Sequence, residues 1–394
     1  MEDSSSKIKV LMAGGGTGGH LYPALALVEE LEKRNLLAEV VFVGTSRGLE
    51  ARVVPQAGYP LKLISIRGLR RRLSWENLLI PFQLIASLIQ SARILWRFRP
   101  DAVIGTGGYV SGPVLFMAAL MGIPTLIQEQ NSYPGIATRI LARWVDQVHL
   151  SFEESVKYFR NKANLRVSGN PVRHQLFQGD RQVAAKIFHL DPQKKTLFVF
   201  GGSQGAHRIN LALLDILDRL LNFQDVQILW ATGERDYEMV GQSCAQYGDR
   251  VCAKPYIDNM AAAYAISDLA LCRAGATTIT ELALVGLPSI LIPFPYATAG
   301  HQQFNAQALV NQGAAVMILE KDLSPDRLLT TIHELLENES QRKTMRKKAR
   351  EWAKPQAASQ IIDSLVELLI KKRKSENVKY DLIFPFILRP KNKQ

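Results

Sequence analysis

Twice in this chain a short β-branched run breaks into a glycine-rich turn and then into a helix. Residues 8–13, IKVLMA, enter GGGTGGH (14–20), and residues 196–200, TLFVF, enter GGSQGAH (201–207). Helix patterns begin at Leu21–Arg34 and Ile209–Leu221. A strand that turns through glycines into a helix is the opening move of a βαβ unit, so two openings far apart demand two parallel sheets. Other strands are predicted at 39–44, 102–105, 125–129 and 147–151, then at 226–231, 269–272 and 289–293, with the openings themselves at 7–13 and 196–200. The pattern predicts an α/β chain of two Rossmann-like domains facing a cleft, with ligands at the carboxyl ends of the strands. A length of 394 residues suits that number of domains. Gly169-Asn170-Pro171 and Asp191-Pro192 punctuate the join. The division expected is 1–170 for the N-terminal domain and 171–370 for the C-terminal one, whose last helix can pack back on the first. A basic tail, 371–394, is expected to be loose.

Charge narrows the partners. The net charge is +12, which by itself invites a polyanion. Residues 67–99 hold seven arginines against one glutamate, and residues 371–394 hold eight basic residues against two acids. Each segment nets +6, so the rest of the chain is neutral. A nucleic-acid binder would spread basic and aromatic residues over a sheet or groove, and no nucleic acid is expected. Three cysteines without a CxxC pair exclude a disulfide scaffold and a zinc knot and fit a reducing cytosol. The start, MEDSSSKIKV, lacks a secretory pattern. No run reaches the roughly 18 apolar residues of a spanning helix.

The first turn satisfies GxGxxG through Gly14, Gly16 and Gly19. Glycines let backbone N–H groups approach a ligand, and the following helix N-terminus favours negative charge. The second strand ends Val43-Gly44-Thr45 without the acid that a dinucleotide ribose needs, and no Walker lysine follows the turn, so NAD and P-loop chemistry are not supported. His20 closes the turn at the cleft mouth. It reads either as a general base, since neutral imidazole accepts a proton, or as a helix cap. In RAGATTITE (273–281), Thr277-Thr278 are expected to cap a helix and Glu281 to face ribose hydroxyls. His301-Gln302-Gln303, with Asn305 beyond, offer amides to sugar hydroxyls. No DxD occurs, so neither a metal nor a cofactor is expected, and helix dipoles with Arg173 are left to stabilise a departing diphosphate.

From residue 14 to residue 306 the chain carries, in order, GGGTGGHLYPALAL, GTGGYVSGP, QEQNSYPGIATR, SGNPVR, FGGSQGAHRIN, RAGATTITE and HQQFNA. This set resembles the MurG family, the peptidoglycan N-acetylglucosaminyltransferases that convert lipid I to lipid II, with a GT-B fold. The resemblance implies that the C-terminal half binds UDP-GlcNAc. Ala276, Thr277, Thr278, Ile279, Thr280 and Glu281 would lie along the nucleotide, with Glu281 on the ribose and the Ile257 backbone on the uracil. Ser203 and Arg173 would meet the diphosphate, and Gln302 and Gln303 the sugar. The N-terminal half would receive undecaprenyl-linked lipid I, with Thr17, Gly18 and Gly19 at the junction and Asn131 reaching into the cleft. The implied reaction is inverting transfer, with His20 the proposed base and Glu129 a second candidate. Gln128 stands where the family usually writes His, and the tail beyond about residue 370 lies past the family's usual end.

A lipid-linked acceptor implies work at the cytoplasmic face of the plasma (inner) membrane as a peripheral protein on an anionic surface. The stretch Trp75–Ile89 is rich in large apolar side chains, with Gln83, Ser87, Gln90 and Ser91 as a narrow polar stripe and arginines at both ends. It reads either as that membrane face or as a buried helix. Within the same fold the alternative is a UDP-GlcNAc 2-epimerase or another nucleotide-sugar enzyme. A non-catalytic membrane adaptor would need neither both glycine turns nor Glu281.

Overall fold

The computed structural model describes residues 7–66, 80–177, 179–202 and 205–383. In the first half the order is β1 (Ile8–Gly14), α1 (Gly18–Lys33), β2 (Leu37–Gly44), α2 (Glu50–Gln56), β3 (Leu61–Leu63), α3 (Ile80–Phe98), β4 (Ala102–Gly107), α4 (Gly108–Leu120), β5 (Thr125–Glu129), α5 (Ile136–Leu141), β6 (Gln147–Leu150) and β7 (Leu165–Val167). The second half runs α6 (Arg181–Phe188), β8 (Lys195–Phe200), α7 (His207–Leu214), α8 (Leu217–Leu221), β9 (Val226–Ala231), α9 (Tyr237–Cys244), β10 (Val251–Lys254), α10 (Met260–Ile266), β11 (Leu269–Cys272), α11 (Ala276–Val285), β12 (Ser289–Leu291), α12 (His301–Asn311), β13 (Ala315–Met317), α13 (Pro325–Glu337), α14 (Glu339–Trp352) and α15 (Ala357–Ile383).

Both sheets are parallel throughout, in the orders β3-β2-β1-β4-β5-β6-β7 and β10-β9-β8-β11-β12-β13. In each, the strand that opens its half lies centrally and the chain reverses direction beside it. These are two doubly wound sheets, and the two glycine turns sit at their switch points, where ligands enter such folds. Every predicted strand is present. Those not predicted are β3, β7, β10 and β13, and all four are sheet edges. Helices on both faces bury the central strands, so these read as unbroken apolar runs. Trp230, Phe42 and Phe198 are among the fully buried side chains.

Two helices differ from expectation. α1 begins at Gly18 rather than Leu21, because Gly18 and Gly19 take helical backbone angles, and His20 therefore lies inside the first turn. The helix expected at 209–221 is two pieces, α7 and α8, divided after Leu214.

α15 returns to the first half. Ile361, Leu365 and Leu369 share a buried cluster with Leu21, Val28 and Leu31 of α1. Arg34 reaches Asp363 at 2.5 Å, and the buried Gln147 amide donates to the Ser364 carbonyl at 3.1 Å. The tail expected to be loose from 371 continues α15 instead. Lys372 pairs with Asp146 at 2.9 Å, which holds this turn against the first sheet. Residues 384–394 lie outside the described residues.

Candidate active site

The first glycine turn is built around a carboxylate that the motif does not contain. Glu50, at the start of α2, is fully buried. Its Oε2 accepts from Gly16 N at 2.7 Å, and its Oε1 accepts from Thr45 N at 2.8 Å and Thr45 Oγ at 3.0 Å. A β-carbon on Gly15 would lie 2.4 Å from the Glu50 carboxyl carbon, so the turn needs glycine there. Thr17 then caps α1 by position alone, its hydroxyl making no cap hydrogen bond, while Gly18 and Gly19 form the helix's open N-terminus.

His20 projects from that first turn toward the end of β4. Its Nδ1 lies 3.0 Å from the Thr106 carbonyl and 2.9 Å from Gln130 Oε1. Both can only accept, so Nδ1 carries a hydrogen, and in the neutral ring the lone pair is then on Nε2. A β-carbon at Gly107, where φ is +103°, would fall 2.6 Å from Nδ1, which is why β4 ends in glycine. The cap reading of His20 does not hold, since its ring bonds across to β4 rather than to its own helix end.

Glu129 has different surroundings. It is buried, with Oε1 accepting from Asn131 N at 3.1 Å and Asn131 Nδ2 at 3.3 Å, and Oε2 accepting from Gly135 N at 3.2 Å. Both oxygens are spent on shaping the loop after β5. That loop is tied to the second half by Asn305 of α12, itself fully buried. Ser132 N and Oγ donate to Asn305 Oδ1 at 3.0 and 2.9 Å, and Asn305 Nδ2 reaches Asn131 Oδ1 and the Ala274 carbonyl, each at 3.3 Å. Tyr133 stacks on Phe304 beside it. Across the cleft, burial holds the His301 imidazole below its ordinary range, with the charges of His20 and Glu129 also acting on it.

On the second half, α11 starts at Ala276 with Gly275 in the cap position. Neither Thr277 nor Thr278 caps it, contrary to expectation, because the chain enters the helix two residues earlier than a Thr277 cap requires. Thr277 Oγ is left buried without a partner. Glu281 accepts from Tyr264 Oη at 2.7 Å. Burial pushes its carboxyl up to about 7, against the Tyr264 hydrogen bond and the Arg173 charge, which pull it down. Arg173 lies over the Tyr22 ring at 4.8 Å, and Tyr22 Oη meets Tyr256 Oη at 3.2 Å, closing a second bridge between the halves. Two of the expected nucleotide contacts are engaged within the fold. Ile279 buries its side chain in the core and bonds its N–H to the Gly275 carbonyl at 3.0 Å. Thr280 Oγ donates to the Ala276 carbonyl at 2.8 Å and accepts from Asn170 Nδ2 at 3.5 Å. The Ile257 side chain is likewise core, leaving only its backbone. Gln302 Oε1 accepts from Phe294 N at 2.9 Å, while Gln303 is exposed on α12. Ser203 lies outside the described residues.

α1, which carries His20, touches α11, and the His20 charge reaches His301 at the start of α12. Residues 10–150 match the Glycosyltransferase family 28 N-terminal domain, and residues 196–361 match the Glycosyltransferase family 28 C-terminal domain. A UDP-N-acetylglucosamine--N-acetylmuramyl-(pentapeptide) pyrophosphoryl-undecaprenol N-acetylglucosamine transferase of Desulforamulus reducens is 44% identical, over 93% of this chain and 100% of its own length. The chain belongs to the MurG family. The crystal structure of Acinetobacter baumannii MurG superposes with a TM-score of 0.70 at 30% identity, covering 91% of this chain and 99% of that one. The UDP-GlcNAc 2-epimerase of Neisseria meningitidis, at 12% identity, 92% and 100% coverage and a TM-score of 0.63, shares the GT-B fold.

Within this MurG family member, Glu50, Gln130, Tyr22 and Tyr256 were not singled out by their sequence context. Glu50 acts on a turn more than thirty positions earlier, and no spacing rule joins them. Gln130 lies inside QEQN, so its position was visible although its partner was not.

Proposed function

We propose that this chain transfers GlcNAc from UDP-GlcNAc to the C4 hydroxyl of MurNAc in undecaprenyl-pyrophosphoryl-MurNAc-pentapeptide, with inversion. The acceptor oxygen attacks the anomeric carbon as the bond to the UDP oxygen breaks, and His20 Nε2 takes the hydroxyl proton. The carrying observation is the His20 ring, whose Nδ1 faces two acceptors and whose Nε2 is thereby left as a base. Glu129, with both oxygens engaged, shapes the Asn131 loop. The residues 171–370 hold the donor. The N-termini of α11 and α12 and Arg173 offset charge on the leaving diphosphate, with Ser203 completing that side. Thr277, Thr278 and the backbone of Ala276 line the nucleotide, Glu281 binds the ribose, the Ile257 backbone the uracil, and Gln302 and Gln303 the sugar. The residues 1–170 receive the lipid, with Thr17, Gly18, Gly19 and Asn131 at the junction.

The same reading puts the protein on the cytoplasmic face of the inner membrane. Among the described residues no helix is long and apolar enough to cross a bilayer. Exposed on the first half are Phe82, Ile85, Ile89 and Trp96 of α3, Leu120 at the end of α4, and Ile136 and Ile140 of α5. α3 packs on α4 and α4 on α5, so these side chains lie on successive neighbouring helices, and Arg139 and Arg143 line one hollow with Ile136 and Ile140. That supports peripheral binding to an anionic surface. The arginines at 67–72 and Trp75 lie outside the described residues. A 2-epimerase, acting on one bound sugar, has no use for such a face.

Incubation with labelled UDP-GlcNAc and a lipid I analogue in vesicles is expected to yield a lipid-linked disaccharide and free UDP. His20→Ala is expected to lose about a hundredfold or more in kcat, the scale of a general base. Donor binding without transfer in the native chain would overturn the reading.

A further inference from the structure

Gln130 is nearly fully buried, at 1% exposure. Its amide nitrogen is ringed by oxygens: the Thr106 carbonyl at 2.7 Å, the Gln128 carbonyl at 3.0 Å, and the side-chain oxygen of Gln128. Turned round, the amide would set its own oxygen against these acceptors, so its orientation follows from its neighbours. The oxygen must point the other way, and there it meets His20 Nδ1 at 2.9 Å. Gln128 is keyed in turn. Its nitrogen donates to Ser151 Oγ at 3.0 Å and Asn170 Oδ1 at 3.3 Å and faces the Glu129 and Gly169 carbonyls, which leaves its oxygen for Gln130.

We propose that Gln130, keyed by Gln128, is a positioning residue that holds the His20 ring as the Nδ1–H tautomer, with Nε2 as its one lone pair. The inference rests on the reading of His20 as the base. Which ring nitrogen carries the proton is set by what the other nitrogen meets, and free histidine favours the opposite tautomer, Nε2–H, which could not accept the acceptor's proton. Gln128 gains meaning from the same chain of bonds. A neutral imidazole at 128 would carry one donor and one acceptor, as a glutamine amide does. On protonation the imidazole loses its acceptor and releases Gln130, whereas the amide keeps it at any ordinary pH. This chain therefore holds its base through a link that does not titrate.

Selective labelling of the histidines with nitrogen-15 tests this in the intact chain. Two-bond proton–nitrogen correlation spectra at pH 8 distinguish the two tautomers, and the His20 signals are those missing from His20→Gln. The native protein is expected to show Nδ1–H at His20, and a dominant Nε2–H form would overturn the proposal. In Gln130→Met the Nε2–H form is expected to grow in, with kcat falling about tenfold or more while KM for UDP-GlcNAc stays within about twofold. An unchanged spectrum together with unchanged kcat would mean that the Thr106 carbonyl suffices and would also overturn it. If Gln130→Met does not fold, Gln130→Asn, whose shorter amide keeps a polar group but falls short of His20, is read by the same spectrum and kcat with the same two outcomes. Near-normal turnover by His20→Gln would remove the base reading while leaving the tautomer result to stand or fall separately.

Discussion

Glu281 stands under opposing influences, with burial raising its carboxyl to about 7 and Tyr264 and Arg173 drawing it down. A carboxylate that accepts ribose hydroxyls binds best when ionised, so nucleotide binding must expel whatever proton it carries. Below about pH 7 each bound nucleotide then costs a proton, and affinity falls as pH falls. KM for UDP-GlcNAc is expected to rise by nearly tenfold per unit from pH 7 toward pH 5.5, and to be flat above pH 8. Titration calorimetry in buffers of differing ionisation heat reads the released proton directly, and Glu281→Gln is expected to abolish both effects. The identity of Glu281 was legible in RAGATTITE, since it falls one turn into a helix at a strand's carboxyl end. The Tyr264 hydrogen bond that conditions it joins residues seventeen positions apart through the fold, and no local pattern carries such a pair. Thr277 shows the reverse case. Its place in the first turn of a helix was legible, but the capping role was misplaced, because a glycine can cap a helix with backbone alone.

Elements were legible in proportion to how deeply they are buried. The central strands read as apolar runs because helices cover both faces. β3 and β7 at the ends of one sheet, and β10 and β13 at the ends of the other, are three or four residues long and partly exposed, so their composition is that of loops. An edge strand is specified by its neighbour's free hydrogen bonds, which composition does not record. α3 illustrates the ambiguity of an apolar helix. It was readable as either a membrane face or a core element, and it has one buried side and one exposed apolar side. Leu95 is buried at 1% exposure, while Phe82, Ile85 and Ile89 are more than half exposed along one side. Replacing those three with serine is expected to weaken partitioning onto anionic vesicles by about tenfold or more while leaving the melting temperature nearly unchanged. Co-sedimentation at rising salt checks both, since the flanking arginines make what binding remains salt-sensitive. Undiminished partitioning would return α3 to a purely internal role.

At the scale of the molecule, α15 begins in the second half and completes the core of the first. Leu365 is fully buried there, and Leu365→Ala is expected to cost about 2–5 kcal/mol. That loss falls on the first half alone. Scanning calorimetry is expected to resolve a lower transition that UDP-GlcNAc does not move, beside an upper one that it raises. A single transition displaced as a whole would mean that the halves melt as one body. The two halves follow one plan, strand, glycine turn and helix, and by that plan alone they are equivalent. Glu50 breaks that equivalence. By accepting from the Gly16 N–H, the Glu50 side chain takes up a backbone donor that the first turn would otherwise hold out to a phosphate. The duplicated plan is thereby split in use: the Gly16 donor serves the fold of the first half and is not on offer to a ligand there.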